Sequence, residues 1–188
     1  MLIFSVAATA LPYSLSQFPR IIAAALRKNR KYLETIAARF IRGEPFAGEA
    51  VQSKREAERA NSQALASLRR LLAEPSRRQN NFERAAALTT YNQRLTRTVT
   101  VLGQYLNKRE RVTLPGFAVV VSGIGESIES LAARLESSQP EPPVPPPSVE
   151  VPQGTSGDES LVYRQLTKIV TEIEAMAIET DKPAGQVA

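Results

Sequence analysis

Three asparagines, Asn29, Asn61 and Asn92, lie at matching positions on the apolar sides of three consecutive amphipathic segments. A turn near Pro45 would bring Asn29 opposite Asn61, and a turn near residues 76–77 would bring Asn61 opposite Asn92. Such a cluster could bind a carboxylate or an amide of a ligand, because each carboxamide both donates and accepts hydrogen bonds. More often, a buried asparagine on a helix seam fixes the packing register and is satisfied by its neighbours. We therefore interpret the three as a structural polar layer with Asn61 in the middle.

The residue types that most catalytic and metal chemistry needs are absent. There is no cysteine and no histidine, which excludes disulfides, thiolate catalysis, histidine metal sites and a Ser-His-Asp triad within this chain. Carboxylates do occur in pairs, at Glu56 with Glu58 and at Glu126 with Glu129, but neither pair lies on an apolar seam. Such pairs are typical of solvated helix faces. We expect no catalytic residue, no metal and no cofactor, and the chain is not predicted to be an enzyme.

Positive charge is concentrated in the first 113 residues, which hold 20 Lys and Arg against 8 Asp and Glu. The remaining residues hold 4 against 11. A basic region indicates an anionic partner, either lipid headgroups or nucleic acid. Nucleic acid is disfavoured because no aromatic residues alternate with the basic ones and no nucleic-acid-binding motif appears. Arg20, Arg27 and Lys31 fall near one face of the first predicted helix, and these three are the candidates for contact with anionic lipid.

The first 11 residues, MLIFSVAATAL, carry no charge. This run is too short to span a bilayer, which takes about 20 apolar residues, and it lacks the basic start of a secretory signal. Two interpretations stay open: an apolar extension that packs on the helices, or the end of a transmembrane helix in a longer chain. The basic residues after Pro12 favour the second, because Lys and Arg within about 15–20 residues of a membrane segment mark its cytoplasmic side.

Apolar residues recur at alternating steps of four and three along four segments, a spacing that predicts long helices packed side by side. The segments cover residues 17–42, 47–73, 81–107 and 115–137. Short turns between them favour an all-α fold in which the four helices form an antiparallel up-down bundle. The first half of the fourth segment is the least typical helix, since it combines β-branched residues with Gly123 and Gly125.

A proline-rich segment separates a fifth predicted helix from the other four. Seven prolines fall between Pro140 and Pro152, a composition that adopts extended polyproline II structure and acts as a semi-rigid spacer. Its PxxP sequence could also bind an SH3 or WW domain, although a spacer is the commoner use. The predicted organisation is an N-terminal extension or transmembrane end at 1–13, a bundle at 14–138, a linker at 139–157, a weakly packed tethered helix at 158–180, and a disordered tail at 181–188.

Two segments taken together resemble a known family. They are LPYSLSQFPRIIAAALRKNRKYL, from Leu11 to Leu33, and SKREAERANSQALASLRRLLAEP, from Ser53 to Pro75. They resemble the cytosolic helical region that follows the second membrane block in the fusaric-acid-resistance (FUSC) family, in particular its YccS/YhfK-like inner-membrane branch. The resemblance covers roughly residues 5–137 and is carried mainly by Asn29, Tyr32, Arg55, Asn61, Glu74 and Pro75.

The resemblance implies an integral protein of the bacterial inner membrane that exports aromatic carboxylic acids or similar compounds. This chain would be its C-terminal cytosolic domain, with a role in assembly or regulation. Its partners would be the rest of the transporter, other copies of itself and the membrane surface. No substrate residue is assigned, because the transport path would lie in the membrane blocks. The alternative is a free-standing helical adaptor that binds an anionic partner or membrane surface through its basic first helix.

Overall fold

The structure, a computed structural model, describes residues 13–73, 79–108, 114–137, 141–155 and 157–182. Every regular element in these ranges is an α-helix, so the all-α class predicted from the sequence is confirmed. The N-terminal segment up to residue 12 and the C-terminal tail from residue 183 lie outside the described residues. The helices are α1, Tyr13–Arg42; α2, Glu49–Ala73; α3, Gln79–Asn107; α4, Phe117–Glu136; and α5, Gly157–Asp181.

The first helix, α1, lies at the centre of the fold and contacts α2, α3 and α4. Its apolar seam is fully buried at Ile22, Leu26 and Leu33, as the four-three spacing predicts. The helix begins at Tyr13, earlier than expected, so Pro19 lies inside it and not in its first turn. A proline in a helix interior removes one backbone hydrogen bond, and Pro19 therefore marks a weak point between the first turns of α1 and the rest.

Contacts at the middle and near the end of α1 give its direction relative to α4. Arg27 pairs with Glu136, the last residue of α4. Phe40, near the end of α1, packs edge to face on Phe117 at the start of α4, with 5.7 Å between ring centroids. The two helices therefore run antiparallel, and the end of α4 places Glu136 beside the middle of α1.

The fifth helix lies between α3 and α4, which do not contact each other in the ranges that the structure covers. The Tyr163 hydroxyl donates a hydrogen bond to the Pro115 carbonyl oxygen at 2.8 Å, which places the start of α5 beside the start of α4. The structure therefore differs from the sequence prediction, in which the fifth helix packs weakly and lies outside a four-helix bundle. The apolar stripe of α5 belongs to the common core, and its buried members include Val162, Tyr163, Leu166, Ile169, Ile173 and Met176.

The proline-rich segment runs back along α4 and so returns the chain to the end where α5 begins. The Val144 backbone N–H donates to Ser130 Oγ at 2.9 Å. Pro147 packs on Gly123 so closely that a Cβ added there would lie 3.0 Å from the proline ring. The glycine that made α4 an atypical helix in the sequence therefore provides the notch in which the segment lies.

Candidate functional site

The three asparagines form one continuous line of side-chain hydrogen bonds across α1, α3 and α2. Asn29 Nδ2 donates to Asn92 Oδ1 at 3.0 Å, and Asn92 Nδ2 donates to Asn61 Oδ1 at 2.9 Å. Asn29 and Asn92 are fully buried, whereas Asn61 is half-buried. The middle member is therefore Asn92 and not Asn61, because Asn92 forms a hydrogen bond with each of the other two.

One atom of the asparagine line is left without a partner. Asn29 Oδ1 is buried and accepts no hydrogen bond from the residues that the structure describes. A buried acceptor without a donor costs free energy, so the line is incomplete at its innermost end. These asparagines line neither the cavity walled by Phe18 and Leu71 nor the surface pocket beside Arg55, and their geometry fits a role in packing register.

Two of the three candidates for lipid contact are engaged by carboxylates on opposite sides of α1. Arg27 lies 2.9 Å from both Glu129 and Glu136 of α4. Lys31 Nζ lies 4.0 Å from Glu56 of α2. The structure therefore does not bring the candidates together on one free basic face. The sequence pattern placed them on a single side of α1 but could not show which neighbouring helices would supply acidic partners.

Ion pairs with α1 shift the pKa values of the carboxylates that take part in them. The hydrogen bond from Arg27 holds the pKa of Glu136 below its usual value, and the charge of the third candidate, Arg20, adds to this effect. Arg20 itself is exposed. Likewise, the hydrogen bond from Lys28 lowers the pKa of Glu56. Both carboxylates are therefore ionised at neutral pH, and much of the positive charge of α1 is matched within the chain.

A row of arginines on α2 lacks such partners and was not singled out by the sequence pattern. Its members are all exposed and fall within about 100° of one another around the helix. None of them forms an ion pair in the described ranges, although Lys54 on the same helix lies 3.7 Å from Glu58. We call this set the α2 arginine row; it consists of Arg55, Arg59, Arg69 and Arg70.

A cavity of about 370 Å³ opens at the end of the fold where α1 begins. All five helices contribute to it, which explains why no spacing in the sequence pointed to it. Two guanidinium groups line it, those of Arg84 on α3 and Arg134 on α4. We call it the bundle-end cavity, and its apolar wall is formed by Phe18, Pro19, Leu71, Ala85, Leu88 and Leu135.

The two arginines of the bundle-end cavity differ in their ion pairs and hydrogen bonds. Arg134 pairs with Asp181 and donates from Nη1 to the Glu141 carbonyl oxygen at 2.6 Å, but its Nε is buried without a partner among the described residues. Arg84 donates from Nη2 to the Thr180 carbonyl oxygen at 2.8 Å and forms no ion pair in those residues. Burial lowers the pKa of Arg84, which reflects the cost of holding this cation away from water.

Comparisons of this chain with known protein families, with curated proteins and with solved structures find no match. Across the ranges that the structure describes, no helix is long and apolar enough to cross a membrane. In the same ranges, no group of three or more acidic side chains is placed to hold a metal ion. Function therefore has to be inferred from the geometry and charge of the residues themselves.

Proposed function

We propose that this chain is a helical assembly or regulatory domain that works at the cytoplasmic face of a bacterial inner membrane, as part of a FUSC-like transporter. The observation that supports this best is the α2 arginine row, which is exposed and has no acidic partner in the described part of the chain. Anionic lipids attract each such side chain near the surface by about 1 kcal/mol. The contact surface is thus proposed on α2, since the basic residues of α1 are largely paired.

The proposal includes an architecture for the domain. The helices α1 to α4 would form the antiparallel up-down framework, and α5 would complete it after the proline-rich segment has returned along α4. The ion pair between Arg27 and Glu136 and the ring contact between Phe40 and Phe117 support the antiparallel arrangement of α1 and α4. A rigid framework of this kind would hold the α2 arginine row in a fixed orientation toward the membrane.

Two separable contributions to membrane binding are expected. The uncharged segment at residues 1–11 would contribute apolar burial at about 25 cal/mol per Å². The α2 arginine row would contribute electrostatic attraction, which salt screens. Sedimentation of the intact chain with anionic and with neutral vesicles, at low and at high salt, tests this. We expect stronger binding to anionic vesicles that salt weakens, and a chain that ignores both vesicle types at low salt would contradict the proposal.

The second candidate function is a free-standing helical adaptor that binds an acidic protein surface. The α2 arginine row favours this function as well, because unpaired exposed cations suit any complementary negative patch. The genomic reading frame upstream of Met1 separates the two candidates. Several predicted membrane helices in that frame would support the transporter domain, whereas a ribosome-binding site next to an unrelated gene would support the adaptor.

A further inference from the structure

The two guanidinium groups of the bundle-end cavity carry more N–H donors than the described residues accept from. Arg84 is half-buried and donates to the neutral carbonyl group of Thr180. Glu179 and Asp181 influence it through charge without forming an ion pair with it in the described ranges. Burying a cation that no carboxylate contacts directly is costly. Arg134 shares its charge with Asp181, but its buried Nε still lacks an acceptor in the part of the chain described. The remaining N–H groups of Arg84, for which no acceptor is found in the described residues, can therefore donate to an anion in the cavity.

The rest of the cavity wall is apolar, which limits the kinds of ligand that the cavity can bind. Phe18, Leu71, Leu88 and Leu135 face the same space as the two guanidinium groups. A small hydrated anion would leave this apolar wall in contact with water. A neutral apolar molecule would leave the guanidinium donors without an acceptor. A volume of about 370 Å³ falls within the usual range for small-molecule sites, about 300–1,000 Å³.

We propose that the bundle-end cavity binds a single-chain anionic amphiphile. Its carboxylate or phosphate contacts Arg84 and Arg134, and its alkyl chain lies against the apolar wall. Guanidinium groups suit both headgroups, because two N–H donors of one arginine match two oxygens of a carboxylate or phosphate. Binding of such a ligand does not depend on whether the chain belongs to a transporter. Either proposal can therefore be disproved while the other still holds.

Isothermal titration of the full chain tests the ligand class. The probes are dodecanoate and dodecyl phosphate, below their micelle concentrations, with dodecanol and inorganic phosphate as controls. We expect both anionic amphiphiles to bind and dodecanol to bind at least about tenfold more weakly, because it lacks the charge-assisted hydrogen bonds. Inorganic phosphate should show no measurable binding. The ranking of the two amphiphiles distinguishes a fatty acid from a phospholipid-derived ligand.

Three variants locate the site. Arg84→Gln should weaken dodecanoate binding by about tenfold or more. Arg97→Gln removes the same charge from an exposed position on the same helix and should leave binding unchanged. Ala85→Leu keeps both arginines but fills part of the cavity, so it should weaken binding as well. Circular dichroism and thermal melting show that each variant is folded before its affinity is compared.

Several results would overturn the proposal. One is equal affinity for dodecanoate and dodecanol, and another is an equal effect of Arg84→Gln and Arg97→Gln. Absence of binding by the folded full chain would also overturn it. If binding appears only after residues 1–11 are removed, the cavity serves the N-terminal segment of the chain itself and not a separate amphiphile.

Discussion

Asn29 and Asn92 are 63 residues apart in the sequence, yet their side chains share a hydrogen bond of 3.0 Å inside the fold. Asn92 in turn donates to Asn61 at 2.9 Å. One residue of α3 therefore fixes the axial position of both α1 and α2. A shift of either helix by one turn would separate the amides and bury them without partners, which is the physical basis of register control by such residues.

This arrangement predicts which pairs of substitutions interact. Asn92→Ala should destabilise the fold by about 1–3 kcal/mol, because it strands buried amide groups. Double-mutant cycles by urea unfolding should show coupling of Asn92 with Asn29 and of Asn92 with Asn61. Asn29 and Asn61 should be nearly additive. Gln104→Ala, at an exposed position on the same helix, is the control. If Asn29 and Asn61 showed the largest coupling energy of the three pairs, that result would contradict the observed order of the hydrogen bonds.

The position of α5 predicts that its apolar stripe is essential to the fold. Leu166 is fully buried, and Leu166→Ala should lower the free energy of unfolding by about 2–5 kcal/mol. Ile178 on the same helix is 62% exposed, so Ile178→Ala should change it by less than about 0.5 kcal/mol. Urea unfolding followed by circular dichroism measures both. Similar small effects of the two substitutions would mean that α5 is peripheral, as the sequence suggested.

Two glycines of α4 are expected to respond differently to substitution by alanine. At Gly125, an added Cβ would lie 2.8 Å from Glu34 Oε1, which is the mobile end of a side chain. Gly125→Ala should therefore gain most of the helix-propensity difference, up to about 1 kcal/mol. At Gly123 the same addition presses on the ring of Pro147, so Gly123→Ala should stabilise less and should loosen the proline-rich segment.

Cleavage by a glutamate-specific protease reports on that segment, because Glu150 lies within it and is followed by Val151. We expect faster cleavage there in Gly123→Ala than in the unmodified chain or in Gly125→Ala. Equal cleavage rates in all three proteins would show that the contact between Gly123 and Pro147 does not hold the segment on α4.

The ion pair between α1 and α4 predicts a loss of stability in acid. The pKa of Glu136 is lowered by its hydrogen bond with Arg27, so the folded state binds a proton less readily than the unfolded state. This contribution is present above the unfolded-state pKa of about 4.5 and is lost as the pH falls through the lower folded-state value. Glu172 acts in the opposite direction, because burial raises its pKa.

Thermal melting between pH 7 and pH 3 measures this effect. Glu136→Gln should melt earlier than the unmodified chain at neutral pH and should lose less stability on acidification. The free energies of unfolding of the variant and the unmodified chain should differ by less than about 1 kcal/mol, since the ion pair is partly solvated. Glu126→Gln, at an exposed position on the same helix, should follow the unmodified chain. If both variants show the same pH profile, the Arg27 pair contributes nothing measurable.

The sequence predicted well those features that depend on one helix at a time. The C-terminal ends of α1, α2 and α3 follow from the apolar spacing and from breakers such as Gly43 and Pro75. Matching positions of the three asparagines also followed from that spacing. Which asparagine lies in the middle did not, because the order depends on how three helices are placed around one another and spacing along a chain carries no such information.

Features built from several helices were not predictable from the sequence. The basic residues of α1 formed a clear pattern, but only the structure shows that Glu129, Glu136 and Glu56 approach them from two sides. The proline-rich composition predicted an extended spacer and gave no sign that Pro147 packs on Gly123. The pairing of Arg84 and Arg134 in one cavity joins residues 50 positions apart on helices that do not touch.

The most direct test of membrane function compares two variants with the same loss of charge. One replaces the α2 arginine row with glutamine, at Arg55, Arg59, Arg69 and Arg70. The other replaces four exposed basic residues on α3 and α5, at Arg94, Arg97, Arg164 and Lys168. Sedimentation with anionic vesicles at low salt should show that the first variant loses most of the preference for anionic over neutral lipid and that the second retains it. Equal losses in both variants, or no loss in the first, would contradict a membrane-binding face on α2.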